Sequence, residues 1–308
     1  MDLNWAPIVG EFEQEGTKLK SKGSKIEYTP GCLGPAIGNF ITNRTFAGGK
    51  ITAEITFTKV EPGTACGIIF YHDTINGIVV AAIGTNNLYS ITIYPNQGQI
   101  TTLAFSGNGK NLKANQPYRV QVSVLGSLIT FNVDGVDVIS HRIQKQLPRG
   151  QVGIWCRSIS DITVDKFEVE SIQTRAFVVM QFSSPYTDIY EDVIRRICKE
   201  FEVDVIKADE IYGPGVIISD IEKQIIEANL VIAEITPANP NVYYELGFSH
   251  AFQKPTILIA DKQVVDKLPF DVSPFRILLY ENSIAGKKHI EAGLRKHLQA
   301  ILSGGWRI

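Results

Sequence analysis

The chain is poor in the residues that build disulfide scaffolds and metal sites. Its 308 residues include only four cysteines, Cys32, Cys66, Cys156 and Cys198, scattered without a CxxC pair. With no histidine at metal-ligand spacing beside them either, they read as reduced core thiols of a cytosolic protein. The five histidines, His72, His141, His250, His289 and His297, form no cluster, so no metal is expected and no Ser-His-Asp or Cys-His arrangement can be argued. His250 follows Glu245 by five residues, which sets the two on different faces of one helix. Neither GxGxxG nor GxxxxGK[ST] is present, which leaves a Rossmann redox site and a P-loop without support. No apolar run approaches the roughly 20 residues of a membrane span. Residues 1–16 lack the basic stretch and apolar core of a secretion signal. Charge is nearly balanced, with 30 Lys+Arg against 32 Asp+Glu and a net −2, so no broad field draws nucleic acid or an anionic membrane. The expectation is a soluble, cytoplasmic protein with neither of these as a partner.

What is present falls into two halves of different period. From about Gly31 to Ile172, short strand-like runs recur between Gly, Asn and Pro turns. The run 50–57, KITAEITF, alternates with period two, and 118–124 and 128–133 do the same before the hairpin signal Asp134-Gly135. Further runs lie at 67–71, 77–83, 89–94, 151–155 and 162–169. This pattern predicts an antiparallel β-sandwich. At Ser171-Ile172-Gln173-Thr174-Arg175 the period changes. Ala176-Phe177-Val178-Val179-Met180 is a continuous apolar run, as a parallel strand covered on both faces requires. Helical patterns over 189–202, 219–228 and 287–302 then alternate with strand runs at 203–206, 229–233, 255–260 and 276–280, which predicts a doubly wound parallel sheet. The expected fold class is therefore multidomain, β followed by α/β, with a sandwich over 1–172 and an α/β unit over 173–308.

The segment 237–260, PANPNVYYELGFSHAFQKPTILIA, is the most informative in the second half. A polar loop, Asn239-Pro240-Asn241, leads into a helix carrying Tyr243, Tyr244, Glu245 and Gly247, directly after the apolar run that ends at Glu234. This order sets Glu245 on the first helical turn beyond the carboxyl end of a parallel strand, where open α/β sheets place ligands. The loop Gln181-Phe182-Ser183-Ser184-Pro185-Tyr186 opens another helix, whose N–H groups suit a phosphate or ribose. Phe182 or Tyr186 is placed to stack on a base.

In the first half, the run from Val133-Asp134-Gly135-Val136 to Gln151-Val152-Gly153-Ile154-Trp155 resembles the concanavalin A-like jelly rolls, the laminin-G and glucanase-like sandwiches. Glucanase members carry an ExDxE carboxylate cluster on one strand. None stands here, so the resemblance implies a sensing or scaffolding sandwich, with a glycan or protein as its ligand. In the second half, Phe177-Val178-Val179-Met180-Gln181-Phe182, Lys207-Ala208-Asp209-Glu210 and Asn241-Val242-Tyr243-Tyr244-Glu245-Leu246-Gly247 resemble the bacterial TIR-like proteins and the nucleoside 2-deoxyribosyltransferases over about residues 175–282.

That second resemblance implies N-glycosidic chemistry. Glu245 matches the family's catalytic glutamate, which supports positive charge on the sugar as the base departs. Cleaving nicotinamide from NAD needs no acid for the leaving group, so one anion between aromatic walls suffices in principle. Asp220 matches an aspartate used in proton transfer to the base, although Ser219 and Asp220 equally suit a helix N-terminus. A second family aspartate is replaced here by Asn239, which weakens base exchange and leaves NAD cleavage untouched. The resemblance assigns substrate binding to Gln181, Phe182, Ser183, Asp220, Asn239, Asn241 and Tyr244, and a gating loop to Asp209, Tyr212 and Gly213. It implies an NAD+ hydrolase with NAD as substrate and no other cofactor, an oligomer of identical chains switched on by ligand or self-association, and a role in antiphage immunity. Two alternatives stay open: a nucleoside or nucleotide 2-deoxyribosyltransferase or nucleosidase, and a non-catalytic nucleotide-binding or assembly module.

Overall fold

The computed structural model describes residues 3–143, 147–207, 217–265, 272 and 275–302. The first strands are β1 (Trp5–Val9), β2 (Phe12–Glu15), β3 (Lys18–Ser21), β4 (Lys25–Thr29) and β5 (Cys32–Phe46). Next come β6 (Gly49–Phe57), β7 (Ala65–Asp73), β8 (Gly77–Gly84), β9 (Tyr89–Pro95) and β10 (Thr101–Ser106). The series continues with β11 (Pro117–Leu125), β12 (Leu128–Val133), β13 (Val136–Arg142), β14 (Gly150–Ser158) and β15 (Ile162–Ser171). These strands make two antiparallel sheets. One runs β1-β5-β14-β7-β8-β9-β10 with β4 paired to β5, and the other runs β13-β12-β11-β6-β15-β3-β2.

Alternation explains the second of these sheets. Along β6, Ile51, Ala53, Ile55 and Phe57 point inward and are fully buried, while the residues between them face outward. Val120, Val122, Val124, Ile129, Phe131 and Val133 do the same on β11 and β12. The Asp134-Gly135 turn has positive φ at both residues, 52° and 88°, the geometry a tight hairpin demands. Strands β7 and β8 differ, being buried along almost their whole length on both faces. The sandwich begins at Trp5, well before the first strand legible in the sequence.

The third sheet holds β16 (Thr174–Val179), β17 (Val203–Lys207), β18 (Leu230–Glu234), β19 (Thr256–Asp261) and β20 (Ile277–Tyr280), in the order β17-β16-β18-β19-β20. Every pair in it is parallel. Between β16 and β17 the helical segment is α1 (Tyr186–Ile189), a π-helical turn (Tyr190–Arg195) and α2 (Arg196–Glu200). Then come α3 (Ile217–Glu227), α4 (Pro240–Ala251) and α5 (Ile284–Leu302). The π-turn, α2 and α5 cover one face of the sheet with Val193, Ile194, Ile197, Leu294 and Leu298. Helices α3 and α4 cover the other with Ile225, Val242 and Leu246. The fold is thus a jelly-roll-like sandwich followed by a doubly wound parallel sheet.

The two parts touch. The β11–β12 turn at Gly126 meets the carboxyl end of α3 and the Lys254 ammonium, for a Cβ on Gly126 would stand 2.6 Å from Lys254 Nζ. Arg142 of β13 lies 4.8 Å above the Phe252 ring. Arg149 pairs with Glu202 at 3.4 Å.

Candidate functional site

The parallel sheet ends in a cluster of amides. Asn239 caps α4, its Oδ1 accepting from the Asn241 N–H at 2.9 Å. The Asn239 side-chain amide donates to Gln181 Oε1 at 3.4 Å, and Gln181 Nε2 donates to Ser183 Oγ at 2.9 Å. Four sequence-predicted residues, Gln181, Ser183, Asn239 and Asn241, therefore meet between the carboxyl ends of β16 and β18, where the strand order reverses. Such switch points form the crevice of open α/β sheets.

The remaining expected residues are placed differently. Glu245 is the sixth residue of α4, in its second turn and not its first. Only 9 % of it is exposed, and burial pushes its carboxyl up to about 7. No hydrogen bond joins that carboxylate to another described residue; its backbone carbonyl accepts from Ser249 Oγ. Tyr244 turns outward and donates to Glu222 of α3 at 2.8 Å. Tyr243, on the same helix, is partly buried against the apolar core on that side of the sheet. Phe182 meets Tyr190 edge-on at 6.4 Å, with the Lys207 ammonium 5.6 Å above its ring. Asp220 sits half-buried in the first turn of α3. Asp209, Tyr212 and Gly213 lie outside the described residues. Among the described residues no group of His, Cys, Asp or Glu is arranged to hold a metal.

A second constellation, not singled out from sequence, lies on the outer face of the eight-stranded sheet. Register fixes it, because directly opposed residues share a face. One row reads Asn39, Trp155, Gly67, Ala82, Ser90 and Phe105 across β5, β14, β7, β8, β9 and β10. A row further on holds Gln151, His72, Ile78 and Tyr94. Trp155 and Tyr94 lean toward each other and stack, centroids 5.1 Å apart and planes 26° apart. They cover Ile69 and Val80, so this face has an apolar cluster of its own, separate from the sandwich core. Arg157 lies 5.9 Å from the Trp155 ring and donates to the Gly63 carbonyl at 2.8 Å. Phe105 at the sheet edge is 67 % exposed. Asn39 Oδ1 and His72 Nδ1 are buried with no hydrogen-bond partner among the described residues. The available signal was the period: Trp155 and Arg157 fall on one parity of β14, and the core residues Ile154 and Cys156 on the other.

No known protein family matches the sequence, and no curated protein does. Similar solved structures include a carbohydrate-binding module, CBM66, from Bacillus subtilis, at 13 % identity and TM-score 0.44, covering 53 % of this chain and 92 % of that one. A β-glucanase from Bacillus licheniformis covers 54 % and 92 %, at 11 % identity and TM-score 0.34. A mixed-linkage glucan GH16 protein from Bacteroides ovatus covers 53 % and 94 %, at 11 % identity and TM-score 0.36. At these values the likeness is one of β-sandwich fold.

The expectation of a TIR-like NAD+ hydrolase is overturned. No family model, TIR-like or other, matches the chain. The geometry agrees. A carboxyl pushed up to about 7 is only partly ionised near neutral pH, whereas a developing oxocarbenium ion is best served by a full anion. The two aromatic residues expected to bind substrate are engaged with other side chains, Tyr244 with Glu222 and Phe182 with Tyr190. NAD as substrate, NAD nucleosidase activity and the immune-effector role fall with that expectation.

Proposed function

We propose that the chain is a two-part binding protein, with residues 1–172 taking a carbohydrate on the outer face of the eight-stranded sheet. The observation that carries this reading is the stacked Trp155–Tyr94 pair flanked by buried, unpartnered Asn39 Oδ1 and His72 Nδ1. Sugars offer both surfaces such a face needs: a C–H face that packs on an aromatic ring, and hydroxyls that satisfy stranded polar atoms. Apolar ground with a few placed polar groups is the usual composition of a ligand site, and buried polar atoms without partners call for one. The test is a glycan array probed with the full chain, followed by calorimetry on any hit. Saturable binding that Tyr94→Ala weakens supports the reading; a folded protein that retains no glycan overturns it.

The amide cluster favours a second reading for residues 173–308, in which this part holds a nucleoside or nucleotide without cleaving it. Gln181, Ser183, Asn239 and Asn241 present donors and acceptors at the switch point. Calorimetry with deoxynucleosides and nucleotides, with chromatography of the same samples, tests it. Binding with no product supports this reading. Base release or exchange replaces it with the deoxyribosyltransferase alternative, and absence of binding removes both.

A further inference from the structure

We propose that Cys66 and Cys156 form a disulfide-closing pair that staples the two central strands beneath the aromatic face when the chain folds under oxidising conditions. The two residues are direct partners across the antiparallel β14–β7 ladder. Their Sγ atoms lie 3.2 Å apart, between residues separated by 90 positions in the chain. Directly opposed residues on antiparallel strands have Cα atoms ~4.5–5.5 Å apart, inside the ~4.4–6.8 Å window of disulfides. Closing the bond to ~2.05 Å asks the sulfurs to approach by about 1 Å, within reach of small side-chain rotations. Both side chains point into the sandwich core, at 0 % and 2 % exposure. Cys198 is buried in the α/β part and Cys32 is exposed on β5, so neither competes for the pair.

The placement sets when the bond closes. Burial pushes the Cys66 thiol well above its ordinary range, and the attacking species in exchange is the thiolate. The folded sandwich therefore protects the pair, and closure belongs to strand assembly. With glutathione disulfide as oxidant, one cysteine thiolate attacks a glutathione sulfur and expels one glutathione thiolate. The second cysteine thiolate then attacks the protein sulfur of that mixed disulfide and expels the other. Two thiols lose two electrons and two protons, and two glutathione molecules take them up. Cys156 follows Trp155, whose ring lies on the opposite face of β14. The crosslink accordingly ties the strand under Trp155 to the strand that bears Ile69. A bond closing so long a loop strongly restricts the unfolded chain.

The experiment uses the full chain, reduced in denaturant and refolded either in a glutathione redox buffer or in dithiothreitol. Each sample is then alkylated under denaturing conditions and mapped by mass spectrometry. The expected result after glutathione refolding is a monomer with two alkylated thiols, at Cys32 and Cys198, and a linked Cys66–Cys156 peptide. The dithiothreitol sample carries four alkylated thiols. The oxidised sample should also melt several degrees higher, and Cys66→Ala/Cys156→Ala should melt at one temperature in both buffers. Four alkylated thiols in a natively folded, glutathione-refolded sample overturn the proposal, as does a bond to Cys32 or Cys198. The mapping uses the unsubstituted chain, so it decides the question even where the double variant fails to fold.

Discussion

Trp155 and Tyr94 stack at 5.1 Å, although β7 and β8 separate the strands that carry them. Their rings meet because small residues, Gly67 and Ala82, lie along the Trp155 row and leave space above the sheet. Tyr94→Ala is expected to lower carbohydrate affinity about tenfold, matching an aromatic contribution of ~1–1.5 kcal/mol. Tyr94→Phe keeps the ring and should keep most of the affinity. Calorimetry on both variants checks this, with circular dichroism to confirm the fold. Equal losses in the two variants would assign the effect to the hydroxyl and not to stacking.

Gly67 itself has no room for a side chain. A Cβ there would stand 2.1 Å from the Ala81 carbonyl oxygen and 2.5 Å from Ala82 Cα. Both obstacles are backbone in the middle of a sheet, so neither can swing aside. Gly67→Ala is expected to destabilise the sandwich by ~3 kcal/mol, at the upper end of overpacking costs. A lowered urea midpoint at unchanged slope would register it; an unchanged midpoint would mean that β7 and β8 part to admit the methyl group at no cost.

Strands with one buried face were the most legible part of the fold. Gly49–Phe57 alternates cleanly because its partner face is solvated. The first four strands escaped notice because most of their residues are exposed, leaving little hydrophobic period to read. In β5 the run Gly34-Pro35-Ala36-Ile37-Gly38 carries turn signals, yet the strand passes straight through. Gly38 is there because the Phe40 ring occupies the space a Cβ would need, 2.7 Å away. In the α/β part, Asn239-Pro240 marked the start of α4 correctly. Which tyrosine faces outward was not legible, because it depends on Glu222 of a different helix. The outer face of the sandwich stayed hidden for the opposite reason. β7 and β8 are buried on both sides, and a continuous apolar run does not say which residues belong to which face.

Lys254 lies where the two parts meet. Its ammonium donates to the carbonyls of Ile226 and Ala228, at 2.5 and 2.7 Å, closing the carboxyl end of α3 beneath the Gly126 turn. Burial lowers its pKa from 10.5 to about 8, with the charge of Arg142 adding to the effect. Lys254→Met should cost ~2–3 kcal/mol, since hydrogen bonds from a charged donor are lost and two carbonyls stay buried. A folded pKa below the unfolded one means that the unfolded chain holds more protons between pH 8 and 10.5. Stability carried by this residue therefore rises with pH across that window. Urea titrations at pH 8, 9 and 10 should show the parent gaining on Lys254→Met; parallel curves would mean the ammonium is better solvated than its burial indicates.

Glu234 gives the opposite slope. It is fully buried at the end of β18, where Oε1 accepts from the Thr236 N–H at 2.9 Å and from the Thr236 hydroxyl. Its other oxygen, Oε2, makes no close hydrogen bond among the described residues, although the Tyr280 hydroxyl is near enough to favour the charged form. Burial pushes the carboxyl from 4.5 up to about 8, against the hydrogen bonds from Thr236 and Tyr280, and the charge of Asp261 adds a smaller push. The folded chain then holds a proton that the unfolded chain has released between pH 4.5 and 8. The stabilisation is fully present below pH 4.5 and is lost as pH rises through 8, at ~1 kcal/mol per pH unit. Glu234→Gln keeps an oxygen for Thr236 and removes the titration. It should be the more stable protein at pH 8, with the advantage shrinking toward pH 5. Chemical unfolding of both proteins at pH 5, 6, 7 and 8 checks this. A constant difference between them would mean that Glu234 keeps its charge on folding, held by Thr236 and Tyr280 against burial.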